Sequence, residues 1–440
     1  MPAPNEVASR DVLAPPGPGR RPVGAVALLA LGVNGIVGVG IFFAPASVAE
    51  HAPGTAGVLV FAVMGLAVLP VALAFAVLGR RFDEDGGPVV FARAAFGTLA
   101  SFLVGWVAYV SAFLSTAAVV FGLTRAVAAD LGLADPVGLR LAATALTTAL
   151  ALVVASGISI SARVWTGLTL LKLLPLLALL GAFAVFSGPR PPLPSGSADL
   201  SWLRAGLIVM FTYQGFEIVP VIAGQVRTPA RAVPMATVAS LLLAIVLYLG
   251  LMGACVLGLP ALASSKAPLA DVAAVYGGEG LSWLVAVGTT ISALGISFGQ
   301  MVATPRYLSA LSSGARTLFG VESLSPRGVP LKALLVTWLL VTLLVQGGDL
   351  TELFALSAIG VLLQFGVTAA ALVTLAWRRE RGLTPAHAWL AVPTLTLALV
   401  LVVFGATGRE ALVALAAVAA GFLLSRAAKP RSGTPPPGGA

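Results

Sequence analysis

Lys172 and Glu217 are the two charged residues that fall in the middle of long apolar runs of the chain. A Lys or Glu at the centre of a membrane-spanning helix costs about 2.5–3.5 kcal/mol on insertion scales, and such residues usually mark function. Lys172 lies about eight residues into its run, or ~12 Å along a helix, which is deep for a lysine that must reach the membrane surface. The two positions therefore predict a functional role. The alternative is that each packs against backbone carbonyls or hydroxyls.

Glycines interrupt two of the apolar runs. The first contains GIVGVG at 35–40, and the sixth contains FTYQGFE at 211–217. Each glycine inside a helix costs up to about 1 kcal/mol relative to alanine. Close packing of helices through small residues is one explanation. The interruptions, however, fall at corresponding points of two five-span units, and this placement predicts a binding site made from two broken helices.

A broken helix offers backbone groups that can bind a ligand. The N–H groups at the start of the new half-helix lie at the positive end of its dipole and suit a carboxylate. The carbonyls freed at the other half-helix end suit an ammonium group or a cation. Two facing breaks therefore predict a site for a small, polar, amino-acid-like substrate near the middle of the membrane, where irregular backbone is tolerated only beside protein or a water-filled cavity.

The composition places these residues in a membrane protein. Of the 440 residues, 58% are hydrophobic and only 10% are charged, whereas a soluble domain carries about 25% charged residues. This excludes a cytosolic enzyme, a disordered protein and a nucleic-acid-binding protein. The single cysteine, Cys255, excludes an internal disulfide, and with only two histidines it argues against a structural zinc site. We expect no metal and no cofactor.

Twelve apolar runs are long enough to cross a bilayer, which needs roughly 20 residues per helix. They lie near 23–48, 56–79, 98–127, 137–156, 162–186, 203–226, 234–258, 281–312, 331–347, 352–377, 388–406 and 409–427. We therefore expect an all-α integral membrane protein of twelve transmembrane helices, with a five-plus-five inverted repeat and with helices 1 and 6 broken. The repeat halves are expected at 23–186 and 203–377, two further helices at 388–427, and disordered tails at 1–22 and 428–440.

The distribution of basic residues predicts the orientation of the spans. With the N-terminus inside, the inner segments hold 19 Lys and Arg residues, the outer loops hold six, and Lys172 lies within a span. This bias places both termini in the cytoplasm and the protein in the cell (cytoplasmic) membrane.

Five motifs resemble those of the amino acid–polyamine–organocation transporters, over spans one to ten. They are GVGIF at 38–42; DGGP at 85–88 with FG at 96–97; GISISARVWTGLTLLK at 157–172; GFE at 215–217 followed by Pro229, Arg231 and Pro234; and R-x-x-x-A-x-x-x-G at 306–314. The resemblance implies a secondary active transporter that moves amino acids by alternating access, most simply by proton-coupled symport. Its partners would be a small-molecule substrate, protons and the bilayer, with no nucleic acid, as a monomer or homodimer.

The resemblance also implies which residues bind the substrate. Backbone N–H groups for the substrate carboxylate would come from Gly38, Val39 and Gly40, and Ile36 would offer a carbonyl to the amino group.

Four further residues complete the implied substrate site. Phe211 would cover the substrate as an aromatic gate, and Gln214 would supply a carbonyl; a core-facing Phe211 is the alternative. Ser115 and Phe298 are assigned to the side-chain pocket by comparison with the family pattern.

Lys172 matches the lysine on the fifth span of proton-coupled members. The resemblance implies that its ammonium occupies the place that sodium fills in related carriers. We expect hydroxyls on the eighth span, such as Ser292 or Thr289, to accept hydrogen bonds from it. Exchangers of the family carry a lysine there too, so an amino acid/amine antiporter stays open. Glu217 is expected either to fix the geometry of the break or to gate the inner side.

Two other classes of membrane protein are less favoured. A membrane-embedded enzyme needs a cluster of His, Asp, Glu or Cys, and a channel needs rings of charge or a repeated filter motif. The sequence has neither pattern, so no catalytic residue is assigned.

Overall fold

The computed structural model describes residues 23–38, 40–84, 86–128, 135–157, 162–186, 188, 201–312, 316–317, 320–321, 323–326, 328–347, 349–427 and 429–430. The predicted tails at 1–22 and 428–440 lie outside these residues, apart from 429–430.

Fourteen α-helices form the described part of the chain. They are α1 Ala25–Ile36, α2 Gly40–Ala49, α3 Thr55–Gly79, α4 Pro88–Phe96, α5 Thr98–Ala128, α6 Pro136–Ala155, α7 Ala162–Phe186, α8 Ser201–Tyr213, α9 Pro229–Gly258, α10 Pro268–Ser312, α11 Leu331–Gly347, α12 Leu350–Trp377, α13 Ala391–Val400 and α14 Gly408–Ala427. Short 3-10 turns at Phe216–Ile218, Pro220–Gln225, Leu262–Ser264, Glu380–Gly382 and Pro385–Leu390, and a π-helical turn at Leu401–Gly405, join them.

These helices confirm the predicted twelve-span membrane fold. Among the described residues, eleven helical segments are long and apolar enough to cross a membrane, and α11 is a shorter apolar helix at the predicted ninth span. Large apolar side chains remain exposed on outward faces, including Leu66 (63%), Val246 (72%) and Leu415 (68%). Such faces are unfavourable in water and suit lipid.

Two features differ in detail from the predicted spans. Helix α10 begins at Pro268 rather than near 281, and Gly278 (φ 70°, ψ −170°) kinks it before the predicted start. The other regular structure among the described residues is a two-residue antiparallel pair, β1 Arg316–Thr317 with β2 Lys429–Pro430. Helix α4 is too short to span and lies in the loop after the second span.

Small residues allow the helices to approach closely. A Cβ atom added to Gly65 of α3 would lie 2.9 Å from Ile245 of α9, and one added to Gly360 of α12 would lie 2.9 Å from Ser111 of α5. This is the packing expected where helices associate without a hydrophobic driving force. These contacts bring α3 against α9 and α12 against α5.

A buried ion pair joins the twelfth span to the outer half of the sixth. Arg204 of α8 donates two hydrogen bonds to Glu410 of α14, at 2.5 and 2.7 Å, and the Glu410 side chain is only 1% exposed. The same carboxylate accepts the Thr407 N–H at 2.8 Å, at the start of α14. The last span is thus anchored to the broken helix.

Glu410→Gln is expected to lower the free energy of unfolding by about 2–4 kcal/mol, because it leaves the Arg204 charge without its buried partner. The glutamine oxygen can still accept the Thr407 N–H, so loss of the helix cap does not explain the effect. Denaturant unfolding in detergent measures the change. The matched control is Arg409→Gln, which breaks the exposed Arg409–Glu352 contact at 3.3 Å and should cost less than about 1 kcal/mol. Equal losses of unfolding free energy in the two variants would contradict a stabilising role of the buried Arg204–Glu410 ion pair.

Candidate functional site

The first span is broken between α1 and α2. Helix α1 ends at Ile36 and α2 begins at Gly40. Within the break, the Gly38 N–H donates to the Ile36 carbonyl at 2.6 Å. Val39, a predicted carboxylate ligand, lies outside the described residues. The predicted break is therefore present at the GIVGVG run, and α2 starts with N–H groups that have no partner one turn earlier in its own helix.

The sixth span is broken directly after Tyr213, where α8 ends. Gly215 has φ +123°, a conformation that residues with a Cβ rarely adopt. The chain then continues as 3-10 turns instead of an α-helix. Glu217 accepts the Gly215 N–H through Oε2 at 2.7 Å. Both roles considered for Glu217, fixing the geometry of the break and gating the inner side, stay predictions, as does a role in coupling.

The two breaks touch each other through their backbones. A Cβ atom added to Gly215 would lie 2.4 Å from the Gly35 carbonyl carbon and oxygen, and 2.7 Å from the Ile36 nitrogen. A Cβ added to Gly35 would lie 2.8 Å from the Gly215 carbonyl oxygen. Only glycine fits at both positions. The sequence-predicted site residues on spans one and six are therefore brought together.

Lys172 of α7 reaches the first break. Its ammonium donates to the Asn34 carbonyl at 2.9 Å and to the Val37 carbonyl at 2.5 Å, and the residue is 2% exposed. The acceptors are thus backbone carbonyls of the broken helix rather than the predicted hydroxyls of α10. Thr289 donates to the Val285 carbonyl of its own helix, and no hydrogen-bond partner for Ser292 Oγ is found among the described residues.

A tyrosine from the seventh span holds the same break. The Tyr248 hydroxyl of α9 donates to the Ile36 carbonyl at 2.6 Å. Because the Gly38 N–H donates to the same oxygen, both of its lone pairs are in use. A substrate ammonium would have to compete with Tyr248 for Ile36, so the predicted role of this carbonyl stays a prediction.

Phe211 lies in the last turn of α8, just before the second break. Its ring stacks on Phe354 of α12, with centroids 4.4 Å apart and planes 28° apart. A Cβ added to Gly40, the first residue of α2, would lie 3.2 Å from the Phe211 ring. The ring is 5% exposed and lies where α2, α8 and α12 meet, and these contacts also fit the alternative of a core-facing aromatic. Its gating role stays a prediction.

Gln214 lies in the second break and contacts the tenth span. Its Nε2 donates to Ser357 Oγ of α12 at 3.3 Å. Ser357 in turn exchanges hydrogen bonds with Ser111 of α5. Sequence reasoning missed both serines, because a polar residue inside an apolar span gives no signal of which distant helix it faces.

The two residues assigned to the side-chain pocket differ in their contacts. Ser115 of α5 accepts from Gln300 Nε2 of α10 at 3.0 Å, so it joins a polar contact between two core helices. Phe298 is half-buried and packs against the main apolar core. Gln300 was not singled out from the sequence.

The first inner loop packs against the inner half of the sixth span. The Gly86 N–H donates to the Val221 carbonyl at 2.8 Å, and a Cβ added to Gly87 would lie 3.1 Å from Val221 Cγ2. The parallel bridge between Val23 and Val226 joins the start of α1 to the same region. The inner halves of both broken spans are therefore held together on the cytoplasmic side of the predicted topology.

Among the described residues, no group of three or more His, Cys, Asp or Glu is arranged to hold a metal ion. Backbone groups and neutral polar side chains make up the lining of the breaks, together with Lys172 and Glu217.

Comparison with known proteins identifies the family. A family model described as amino acid permease matches residues 23–428, nearly the whole chain. The chain belongs to the amino acid permease family. The resemblance drawn from the five motifs is thereby confirmed, and the matched region covers all twelve spans of this permease.

Individual relatives carry transporter names. An uncharacterized transporter of Mycobacterium tuberculosis is 28% identical over 363 residues, covering 81% of this chain and 80% of that protein. The branched-chain amino acid permease of Bacillus subtilis is 26% identical, covering 81% of each chain. A vacuolar cationic amino acid transporter of Arabidopsis thaliana is 27% identical, covering 80% of this chain and 62% of that protein. These relatives are named as transporters and permeases, and the chain is accordingly a multi-pass membrane protein of a transporter family.

Proposed function

We propose that this permease is a secondary active transporter that binds an amino acid between its two broken helices and moves it by alternating access. The observation that carries the proposal is the direct backbone contact of Gly35 with Gly215. It places the end of α1 against the residues that follow α8, and the start of α2 lies beside the end of α8, where a Cβ added to Gly40 would lie 3.0 Å from Thr212. The N–H groups of α2 and the carbonyls at the ends of α1 and α8 would then bind a carboxylate and an ammonium group. The names of the relatives support an amino acid as the substrate class.

Proton-coupled symport is the proposed mode of coupling. The Lys172 ammonium bridges two carbonyls of the broken first span, where a metal cation would otherwise suit the same oxygens. Loss of its proton would leave one fewer charge at the break and free these carbonyls to rearrange. Protonation of Lys172 would thus be tied to the conformation of the half-helix that binds the substrate.

Uptake by proteoliposomes tests the proposal. The purified protein is given a pool of labelled amino acids under an inward proton gradient, without sodium. We expect accumulation that collapses when a protonophore is added. Entry of label only after preloading with unlabelled amino acids would replace symport by exchange. Absence of both uptake and exchange would reject amino acids as the substrate and the proposal with them.

We further propose that the protein lies in the cytoplasmic membrane with both termini inside. Ser264 and Ser323 form a matched pair for testing this topology, since both are exposed and each hydroxyl donates to a carbonyl three residues earlier. The predicted topology places Ser264 outside and Ser323 inside.

Cysteine labelling measures the orientation. In a Cys255→Ala background, which removes the one natural and buried thiol, Ser264→Cys is expected to react with a membrane-impermeant maleimide in intact cells. Ser323→Cys should react only after permeabilisation. The reverse pattern would overturn the orientation.

A further inference from the structure

We propose that the side-chain amide of Gln214, together with that of Gln300, selects an amino acid whose own side chain carries a neutral hydrogen-bond donor, a hydroxyl or a carboxamide. The inference rests on the proposed function and deepens it, because it names the substrate class of the same site. The inference is argued from the contacts of Gln214 and of four further residues: Ser111, Ser115, Gln300 and Ser357.

Two serines join α5 to α12 by hydrogen bonds next to the second break. Ser111 Oγ donates to the Ser357 carbonyl at 2.9 Å, and Ser357 Oγ donates to the Ser111 carbonyl at 3.3 Å. Both serines are buried. Each hydroxyl has one hydrogen, so the hydrogen of Ser357 is committed to the Ser111 carbonyl. Ser357 Oγ can then only accept a further hydrogen bond.

This commitment orients the Gln214 amide. The group that lies 3.3 Å from Ser357 Oγ is the donor, Nε2, as this commitment requires. An inverted amide would place two acceptors against each other. Gln214 Oε1 therefore points away from Ser357, and it is a buried oxygen for which no hydrogen-bond partner is found among the described residues. A buried polar atom without a hydrogen bond is unfavourable, so a ligand that donates a hydrogen bond to this oxygen would be favoured.

A second glutamine amide binds the next serine on the same face of α5. Gln300 Nε2 of α10 donates to Ser115 Oγ at 3.0 Å, and Gln300 Oε1 is likewise buried with no partner among the described residues. Ser115 follows Ser111 by four residues on α5, so both serines lie on one face of that helix, ~6 Å apart along its axis. The two glutamines are therefore linked to neighbouring serines of α5, Gln300 directly and Gln214 through Ser357, and each carries a buried amide oxygen without a partner among the described residues.

Gln214 adjoins the proposed binding site for the amino acid backbone. Gln214 follows the last residue of α8 and precedes Gly215, which contacts Gly35 in the first break. A substrate held by its carboxylate and ammonium between the breaks would extend a short side chain toward these amides. Gln214 is next to Gly215 in the sequence, whereas Gln300 lies on α10. We therefore expect Gln214 to have the larger effect on substrate preference.

The charges favour a neutral donor over a cation. The side chains that hydrogen-bond to the two glutamines are Ser357 and Ser115, both neutral. The Glu217 carboxylate binds the Gly215 N–H instead of either glutamine. A cationic side chain brought to the amides would lose its hydration with no charged group hydrogen-bonded to either glutamine among the described residues, which is costly, whereas a hydroxyl or carboxamide needs only an acceptor.

Pairs of amino acids with nearly equal shape test the inference. Threonine and valine differ by a hydroxyl in place of a methyl group, and glutamine and methionine have similar length. Each is used as a competitor of labelled amino acid uptake in proteoliposomes. For the wild-type protein we expect threonine and glutamine to compete about tenfold better than valine and methionine. Their side chains can donate a hydrogen bond to a buried amide oxygen that otherwise has no partner.

Gln214→Met should reduce this preference to within about twofold, because it removes the acceptor and keeps the length of the side chain. Gln346→Met is the matched control. Gln346 Nε2 donates to Thr144 Oγ1 at 2.7 Å, so it is another glutamine that joins two helices, α11 and α6, but it lies outside both breaks. Its substitution should leave the preference unchanged.

The outcomes separate this inference from the proposed function. Equal competition by threonine and valine in the wild-type protein, while uptake is intact, overturns the inference alone. Stronger competition by lysine than by threonine also overturns it, in favour of a cationic substrate. Complete lack of uptake and exchange rejects the proposed function and the inference together. If Gln214→Met does not fold, the inference is still tested by the competition of threonine against valine in the wild-type protein and by the same assay on Gln300→Met.

Discussion

Gly215→Ala is expected to abolish amino acid uptake. The new Cβ would lie 2.4 Å from the Gly35 carbonyl group, and the residue would have to keep φ +123°. The opposing atoms belong to backbone, so neither can swing away as a flexible side chain would, and the two breaks must separate. We expect proteoliposome uptake to fall more than about tenfold, because geometric shifts of this size disrupt a preorganised site.

Gly253→Ala is the control for this substitution. Gly253 lies in the last two turns of α9, and a Cβ added there meets no atom within 4 Å. Alanine favours a helix by about 1 kcal/mol over glycine, so uptake and stability should be unchanged or slightly improved. If Gly215→Ala transported as well as Gly253→Ala, contact between the breaks would have no part in function.

Lys172→Met is expected to remove proton-driven accumulation. Methionine fills a similar volume but donates no hydrogen bond, so the buried carbonyls of Asn34 and Val37 lose their shared donor. Each unsatisfied acceptor costs about 1–3 kcal/mol, and no group remains there to take up a proton. Accumulation under an inward proton gradient should fall more than about tenfold, measured against uptake with no gradient.

Lys266→Met serves as the control, since Lys266 is an exposed residue in the loop after α9. Its accumulation should match that of the wild-type protein. If Lys172→Met still accumulated amino acid fully under a proton gradient, Lys172 would have no part in coupling. If the variant lost accumulation but still exchanged amino acids, Lys172 would act in coupling alone.

The span count and the positions of the breaks were predictable because each rests on a local signal. Apolar length sets a span, and the glycines at 35–40 and 215 mark where a continuous helix is costly. The start of α10 was missed because its first turns contain Asp271 and Glu279, which lower the hydropathy although the helix continues through the Gly278 kink.

The partners of the site residues were not predictable in the same way. Lys172 was expected to face hydroxyls on α10 but donates to carbonyls of the first span. Tyr248 gave no signal, since an isolated tyrosine in an apolar helix looks like any other core aromatic. The Gln214–Ser357 contact joins residues 143 positions apart, and no periodicity in one sequence encodes such a pairing.

Hydrogen–deuterium exchange of the two breaks tests the central claim most directly. The protein in lipid nanodiscs is compared with and without a saturating amount of the amino acid that it takes up best. We expect the amides at 36–42 and at 214–218 to become protected together, because the substrate would hydrogen-bond to one break and order the other. Protection confined to other helices or loops, with both breaks unchanged, would contradict a substrate site between the broken spans.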